Sequence, residues 1–254
     1  MIFRRMTENL RRQNWTSVAI EVAIVIVGVF MGIQAANWNQ SRQERQQTEQ
    51  LLSQLETELT TFYGFLDELD EYYATTARYA AKADAAWRGD PSVTDREFVI
   101  AAYQASQVNA AGNNSAVWAQ IFGAQDLRNI ANVKVRSNLA RVMAFDYDLV
   151  NLSSVTTRYR EEVRKVIPDH IQEAIRKHCG DRRAPGSIYA LELPAACPIR
   201  LPEQDVAATA AELRAKPELQ GELRWHKAAV ANQLLNVETL RILLRDLTAQ
   251  IRQS

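Results

Sequence analysis

From Trp15 to Trp38 the chain reads WTSVAIEVAIVIVGVFMGIQAANW, and between Val18 and Ile33 it is apolar except for Glu21, Gly28 and Gly32. An α-helix needs roughly 20 mostly apolar residues to cross the hydrocarbon core of a bilayer, and this run with its flanks is that long. The residues after it are polar, so they are expected to fold as a domain held at the membrane. Trp15 and Trp38 bracket the span as interface anchors, where amphipathic rings settle at headgroup depth. A cleaved signal sequence would share the basic start. Its apolar region is shorter, roughly 7–15 residues, and closes on a small-x-small site. Ile33-Gln34-Ala35-Ala36 matches that only in part and runs straight into Asn37-Trp38, so a retained anchor is expected. A buried core helix of a soluble protein is the third reading, and the basic flank and tryptophan pair argue against it.

The segment before the span, MIFRRMTENLRRQN, sets Arg4, Arg5, Arg11 and Arg12 against Glu8. The segment after it, NQSRQERQQTEQ, balances Arg42 and Arg45 with Glu44 and Glu49. Short basic flanks stay cytoplasmic. The expected organisation is a cytoplasmic basic segment over 1–14, a transmembrane helix over 15–38 and a non-cytoplasmic domain over 39–254.

Inside the span, Gly28-Val29-Phe30-Met31-Gly32 is a GxxxG element, extended by Ala36 at the next four-residue step. Small residues on one face let two helices approach closely enough for dispersion to hold them in lipid. The plain alternative is a helix that tolerates glycine. Glu21 lies about 9 Å beyond Trp15 at 1.5 Å per residue. A charged residue at the centre of a span costs roughly 2.5–3.5 kcal/mol. An acid here is therefore protonated, reaches the nearer interface, or meets a polar group on another membrane helix. No second ionisable residue in the span continues a proton relay, so that role would need another subunit. Glu21, Gly28, Gly32 and Gln34 are the candidate residues for helix association.

Cys179 and Cys197 close a segment containing Pro and Gly, CGDRRAPGSIYALELPAAC. Outside the cytoplasm a disulfide would staple this 179–197 loop, a closure worth about 3 kcal/mol by chain entropy. Two buried free thiols are the other option. Neither CxxC spacing nor a neighbouring catalytic pattern points to redox chemistry.

Leu52, Leu55, Leu59, Phe62, Leu66, Leu69 and Tyr73 recur at alternating steps of three and four, the a/d stripe of a bundle or coiled coil. No proline lies between Trp15 and Trp87, which predicts one helix leaving the membrane and entering the domain core, ended by Arg88-Gly89-Asp90-Pro91. That Arg-Gly-Asp is read as turn chemistry rather than an adhesion sequence. Thr94-Asp95-Arg96-Glu97 has the form of a capping box ahead of a second helix. AAGNNS reads as loop, and Asn114 or Ser115 is placed to open a short helix with Val117, Trp118, Ile121 and Phe122. A long helix is expected over Val133 to Ile167, with Pro168 bending or restarting it. Pro202 and Pro217 fall in the first turns of two more helices, the last running to about Gln250 with Leu219, Leu223, Val230, Leu234, Val237, Leu240 and Leu244 as its stripe. The expected fold is all-α: an N-terminal transmembrane helix continuing into an antiparallel helical bundle that forms one domain.

Glu21-Val22, Gly28-Val29, Gly32, Gln34 and Asn37-Trp38-Asn39 resemble the start of an uncharacterised family of bacterial single-pass inner-membrane proteins. In that family a basic segment precedes a Glu-containing helix that ends in Asn-Trp-Asn. Trp118 to Arg128, WAQIFGAQDLR, resembles its central part, where an apolar turn and a small residue lead into Asp-Leu-Arg. The likeness covers the anchor well, the middle loosely and the C-terminal half hardly at all. It implies an inner-membrane location with a helical periplasmic domain, and it implies no reaction. Gln40 stands where the family more usually has an acid.

No catalytic pattern accompanies this architecture. His170 and His178, with Asp169 and Glu173 near, make at best a weak divalent-metal site, and packing or exposure accounts for His226 beside Trp225. Ser153, Ser154, Thr156 and Thr157 lack a local base, and Asp67, Glu68, Asp70 and Glu71 read as a solvated face. Lys and Arg total 30 against 30 Asp and Glu, interspersed along the chain, which argues against a nucleic-acid surface. No metal or cofactor is called for. The expected function is a non-enzymatic accessory or scaffold subunit that associates with a membrane protein partner or with itself in the lipid bilayer. The alternative is a ligand-binding or sensor module signalling through a membrane partner, with Tyr63, Tyr72, Tyr73, Tyr79 and Tyr103 around a small-molecule pocket.

Overall fold

The computed structural model describes residues 15–109, 130–150, 156–183 and 191–253. The basic segment 1–14, the expected short helix after Asn114 and the WAQIFGAQDLR segment lie outside the described residues. The chain forms two compact units, Met1–Gln54 and Leu55–Ser254, and helix α1 (Trp15–Trp87) contributes to both.

In the first unit α1 is apolar all round between Ile24 and Ile33, and Ile24, Val25, Phe30 and Met31 are exposed. A helix hydrophobic on every face is stable only where its surroundings are apolar. Among the described residues, α1 is the helix long and apolar enough to cross a membrane, and none of its apolar window is buried.

In the second unit, Leu55, Leu59, Phe62, Leu66, Leu69 and Tyr73 of the predicted stripe are buried. The helix stops at Trp87. Gly89 takes φ +79°, its amide donates to the Ala86 carbonyl, and the Asp90 amide donates to the Ala85 carbonyl. This is a Schellman closure, which a residue lacking Cβ enters without penalty. Asp90 Oδ1 then accepts from the Ser92 amide at 2.9 Å, so the Arg-Gly-Asp triplet is helix-stop chemistry. Helix α2 (Asp95–Gln104) opens on the predicted capping box, with the Thr94 hydroxyl and the Glu97 carboxylate each accepting from the other's amide. It is buried from Phe98 to Gln104.

The long helix expected over Val133–Ile167 is broken. Helix α3 (Val133–Met143) is capped by Asn132, whose side chain accepts from the Lys134 and Val135 amides. The chain leaves the helix at Ala144 and makes a 3-10 turn over Tyr147–Val150, where the Tyr147 hydroxyl donates to the Val142 carbonyl at 3.1 Å. Helix α4 (Arg158–Val166) starts afresh at Thr157, whose hydroxyl accepts from the Arg160 amide. Side chains of this type offer the backbone a local partner and so compete with the helical ladder. Prolines restart the remaining helices: α5 (Asp169–Cys179) follows Pro168, α6 (Glu203–Arg214) follows Pro202, and α7 (Glu218–Ile251) follows Pro217.

Helix α7 returns along α1 in the opposite direction. Gln220 donates to Asp84, Arg241 to Asp70 and the Leu66 carbonyl, and Arg252 to Glu56. Rising numbers on one helix meet falling numbers on the other, as in the antiparallel bundle expected. At one end of this pair, the Trp87 indole donates to the Leu213 carbonyl at 3.0 Å. Its ring stands edge-on to Phe98 at 4.9 Å and to Tyr159 at 6.5 Å.

Cys179 and Cys197 stand at disulfide distance, Sγ to Sγ 1.97 Å. The loop they close carries a short antiparallel ribbon, β1 (Arg182–Arg183) against β2 (Leu191–Glu192), which no alternation in the sequence announced. Gly180 lets the chain turn into it. A Cβ there would sit 2.4 Å from the Arg176 carbonyl oxygen and 2.9 Å from its Cα, backbone atoms that cannot swing aside. Gly180→Ala should therefore cost about 1–3 kcal/mol, the range for overpacking. A urea titration reads this as a lowered midpoint, and an unchanged midpoint would mean that the end of α5 yields freely.

Candidate functional site

The residues singled out for membrane association all lie on α1 in the first unit. Glu21, Gly28, Gly32 and Gln34 are exposed, and Trp15 and Trp38 keep 67% and 65% of their surface. No atom lies within 4 Å of where a Cβ would project from Gly28 or Gly32. Helical spacing puts Glu21, Gly28 and Gly32 on one stripe, continued by Ala36, while Gln34 points away from it. The face available for a second helix thus combines an acid with two glycines.

In the second unit, polar groups converge inside. The segment Gln104–Asn109, from the last residue of α2 onward, is wholly buried. Gln104 donates to the Cys179 carbonyl at 2.6 Å and the Asn109 amide donates to the Tyr73 hydroxyl at 3.0 Å. Arg164 donates to Ser106 Oγ at 3.2 Å and Gln107 Oε1 at 2.8 Å, and the Arg160 guanidinium donates to the Ser106 carbonyl. Tyr159 donates to the Ala102 carbonyl at 2.7 Å, and Tyr72 to Asp181 at 2.8 Å. Burial pushes the Tyr72, Tyr73 and Tyr159 phenols above their ordinary range, so all three stay protonated at neutral pH. These groups satisfy one another and the backbone; they hold the segment in place.

His226 on α7 belongs to the same interior and is only 1% exposed. Its Nδ1 lies 2.6 Å from Thr157 Oγ1, and its ring packs on Tyr159 at 5.6 Å. Burial first, and then the Arg160 charge, push the imidazole down to about 4, with the nearby Ala105 backbone partly offsetting them. It is neutral at pH 7. Beside it, α1 and α7 leave a groove of about 210 Å³, lined by Tyr73, Ala77, Ala80, His226, Lys227 and Ala231 among others.

Of the five tyrosines considered for a pocket, Tyr73 reaches this groove. Tyr63 donates to the Arg241 carbonyl at 3.4 Å and Tyr79 to the Pro194 carbonyl at 2.8 Å, while Tyr72 and Tyr103 are core residues. His170 contacts Asp205 at 3.0 Å on the surface rather than His178. Among the described residues no group of three or more His, Cys, Asp or Glu is set to hold a metal ion. Within the acidic patch, Asp70 and Asp67 pair with Arg241 at 2.5 and 3.5 Å, so part of that face clamps α7. Nothing in the local sequence marked His226, because its partner Thr157 lies where an unbroken helix was expected. Set against protein-family models, curated proteins and solved structures, the chain matches none.

Proposed function

We propose that this chain is a non-enzymatic accessory or scaffold subunit of a bacterial inner membrane, spanning it once. Residues 1–14 lie in the cytoplasm and the helical domain in the periplasm. Association runs through the Glu21, Gly28 and Gly32 stripe of α1, with a membrane protein partner or a second copy. The observation that carries the reading is the helix from Ile24 to Ile33, apolar on every face and uncovered by the chain's own residues. Lipid is the surrounding that makes such a surface stable. The Cys179–Cys197 pair fits an oxidising compartment.

Crosslinking in native membranes tests this. The protein should stay in the membrane pellet after alkaline extraction, and a C-terminal tag should be reachable from the periplasm. Its principal crosslinked species should fall severalfold in Gly28→Leu and in Glu21→Gln. Release into the alkaline supernatant, or a tag reachable only from the cytoplasm, would overturn the topology. Crosslinks unchanged in both variants would overturn the association. A ligand-binding module is the second reading, and the groove beside His226 is the observation that favours it.

A further inference from the structure

Just past Trp38, α1 carries two arginines that the chain's own carboxylates do not answer. At about 100° per residue, Trp38, Arg42 and Arg45 share one face of the helix. All three are exposed. Among the described residues Arg42 makes no hydrogen bond or ion pair, and Arg45 donates from Nε to the Ser41 carbonyl at 3.2 Å. Neither guanidinium meets a carboxylate there. Glu44 lies on the opposite face, where it accepts from Gln40 at 2.9 Å. Glu49 shares the arginine face, a turn beyond Arg45, and pairs with neither.

Depth decides what can answer them. The hydrocarbon core is about 30 Å thick and the whole bilayer about 40–45 Å, which leaves a headgroup layer of roughly 5–7 Å on each side. With Trp38 at the edge of the core, a rise of 1.5 Å per residue puts the Arg42 backbone about 6 Å out and the Arg45 backbone about 10 Å out. Helical side chains lean toward the N-terminus, which on this segment is toward the span. The Arg45 contact with Ser41, one turn nearer Trp38, follows that lean. Both guanidiniums therefore reach into the headgroup layer, where the acceptors are phosphates. Glu49, roughly 16 Å beyond Trp38, lies outside it.

A guanidinium presents a planar fork of donors that matches phosphate oxygens. A zwitterionic headgroup balances its phosphate with its own ammonium. A glycerol headgroup leaves the phosphate charge to an outside cation. We infer that Trp38, Arg42 and Arg45 form a binding face for an anionic phospholipid of the adjoining leaflet, with the indole at its glycerol backbone and both guanidiniums on its phosphate. The stripe of Glu21, Gly28, Gly32 and Ala36 is turned about 100° away on the same helix, so association leaves this face to lipid. The inference rests on the single-span reading of α1 and holds for either direction of insertion.

The test reconstitutes the full chain carrying Trp15→Phe in vesicles of equal phosphatidylglycerol and phosphatidylcholine. Bromines placed high on the acyl chains of one lipid or the other quench a neighbouring indole. A chain with both Trp15→Phe and Trp38→Phe supplies the blank for the remaining tryptophans. Brominated phosphatidylglycerol should quench Trp38 at least about twofold more than brominated phosphatidylcholine, because arginine near an anionic headgroup enriches that lipid. Arg42→Gln together with Arg45→Gln should bring the two lipids to equal quenching. Equal quenching in the parent chain, or a preference that survives the double glutamine change, would overturn the lipid site and leave the span standing. Quenching by neither lipid would overturn the span, and the site with it.

Discussion

Cys197→Ser should lower the unfolding free energy of the chain by about 3 kcal/mol, chiefly by releasing the unfolded state from a crosslink. The bridged cysteines are 18 residues apart. Both sides of the loop are also tied down without the bond. The Cys179 carbonyl accepts from Gln104, Asp181 accepts from Tyr72, and the Pro194 carbonyl accepts from Tyr79. The folded loop should therefore survive the substitution, leaving chain entropy as the main loss. Urea titrations of the detergent-solubilised protein should give one midpoint for the variant, with or without reductant. Reduced wild type should fall to that same midpoint. Wild type indifferent to reductant would show that the bridge contributes nothing.

Acid should be the second large lever, acting through His226. The unfolded imidazole takes a proton near 6.5, whereas the folded one takes it only near 4. Across that interval the unfolded chain binds more protons, so stability rises with pH and is lost as pH falls. The loss should reach roughly 2 kcal/mol between about pH 7 and pH 5, and approach 3 at lower pH. Arg160 of α4 and Lys227 of α7 are the cations near the ring, with Tyr159 packed on it and Tyr73 across the groove. Two carboxylates also titrate differently in the folded chain. Glu97, held down to about 2 by the Thr94 amide and Lys82, loses its contribution as pH falls from the ordinary 4.5 to about 2. Asp181, pushed up by desolvation, acts with the opposite sign. Asp181 opposes the His226 slope, and His226→Gln should remove the acid-dependent loss that the imidazole contributes between about pH 7 and pH 5. An unaltered slope in that variant would place the acid sensitivity elsewhere.

What could be read in the sequence was local or periodic. The capping box at Thr94 and Glu97, the stop at Gly89 and the restarts at Pro168, Pro202 and Pro217 each depend on a few adjacent residues, and each appears in the structure. The stripes of α1 and α7 were legible because burial repeats with the helical turn. The break between α3 and α4 was not. Val135, Leu139, Val142, Phe145 and Leu149 keep helical spacing across it, while the Thr157 side chain sets the restart by capping α4. The groove was illegible for a different reason. Which alanines of α1 oppose which alanines of α7 depends on the register of two helices far apart in sequence, and that register is set by pairs such as Asp70 with Arg241. His226 inherits both difficulties, since it meets a threonine freed by the break and a slot created by the register.

The position of Trp87 has a consequence for how the domain comes apart. One indole closes α1, caps a carbonyl at the end of α6 and presents its edges to rings from α2 and α4. Withdrawing α2, α4 or α6 would in each case strip a contact from the same ring, so the indole couples the three helices to the end of α1.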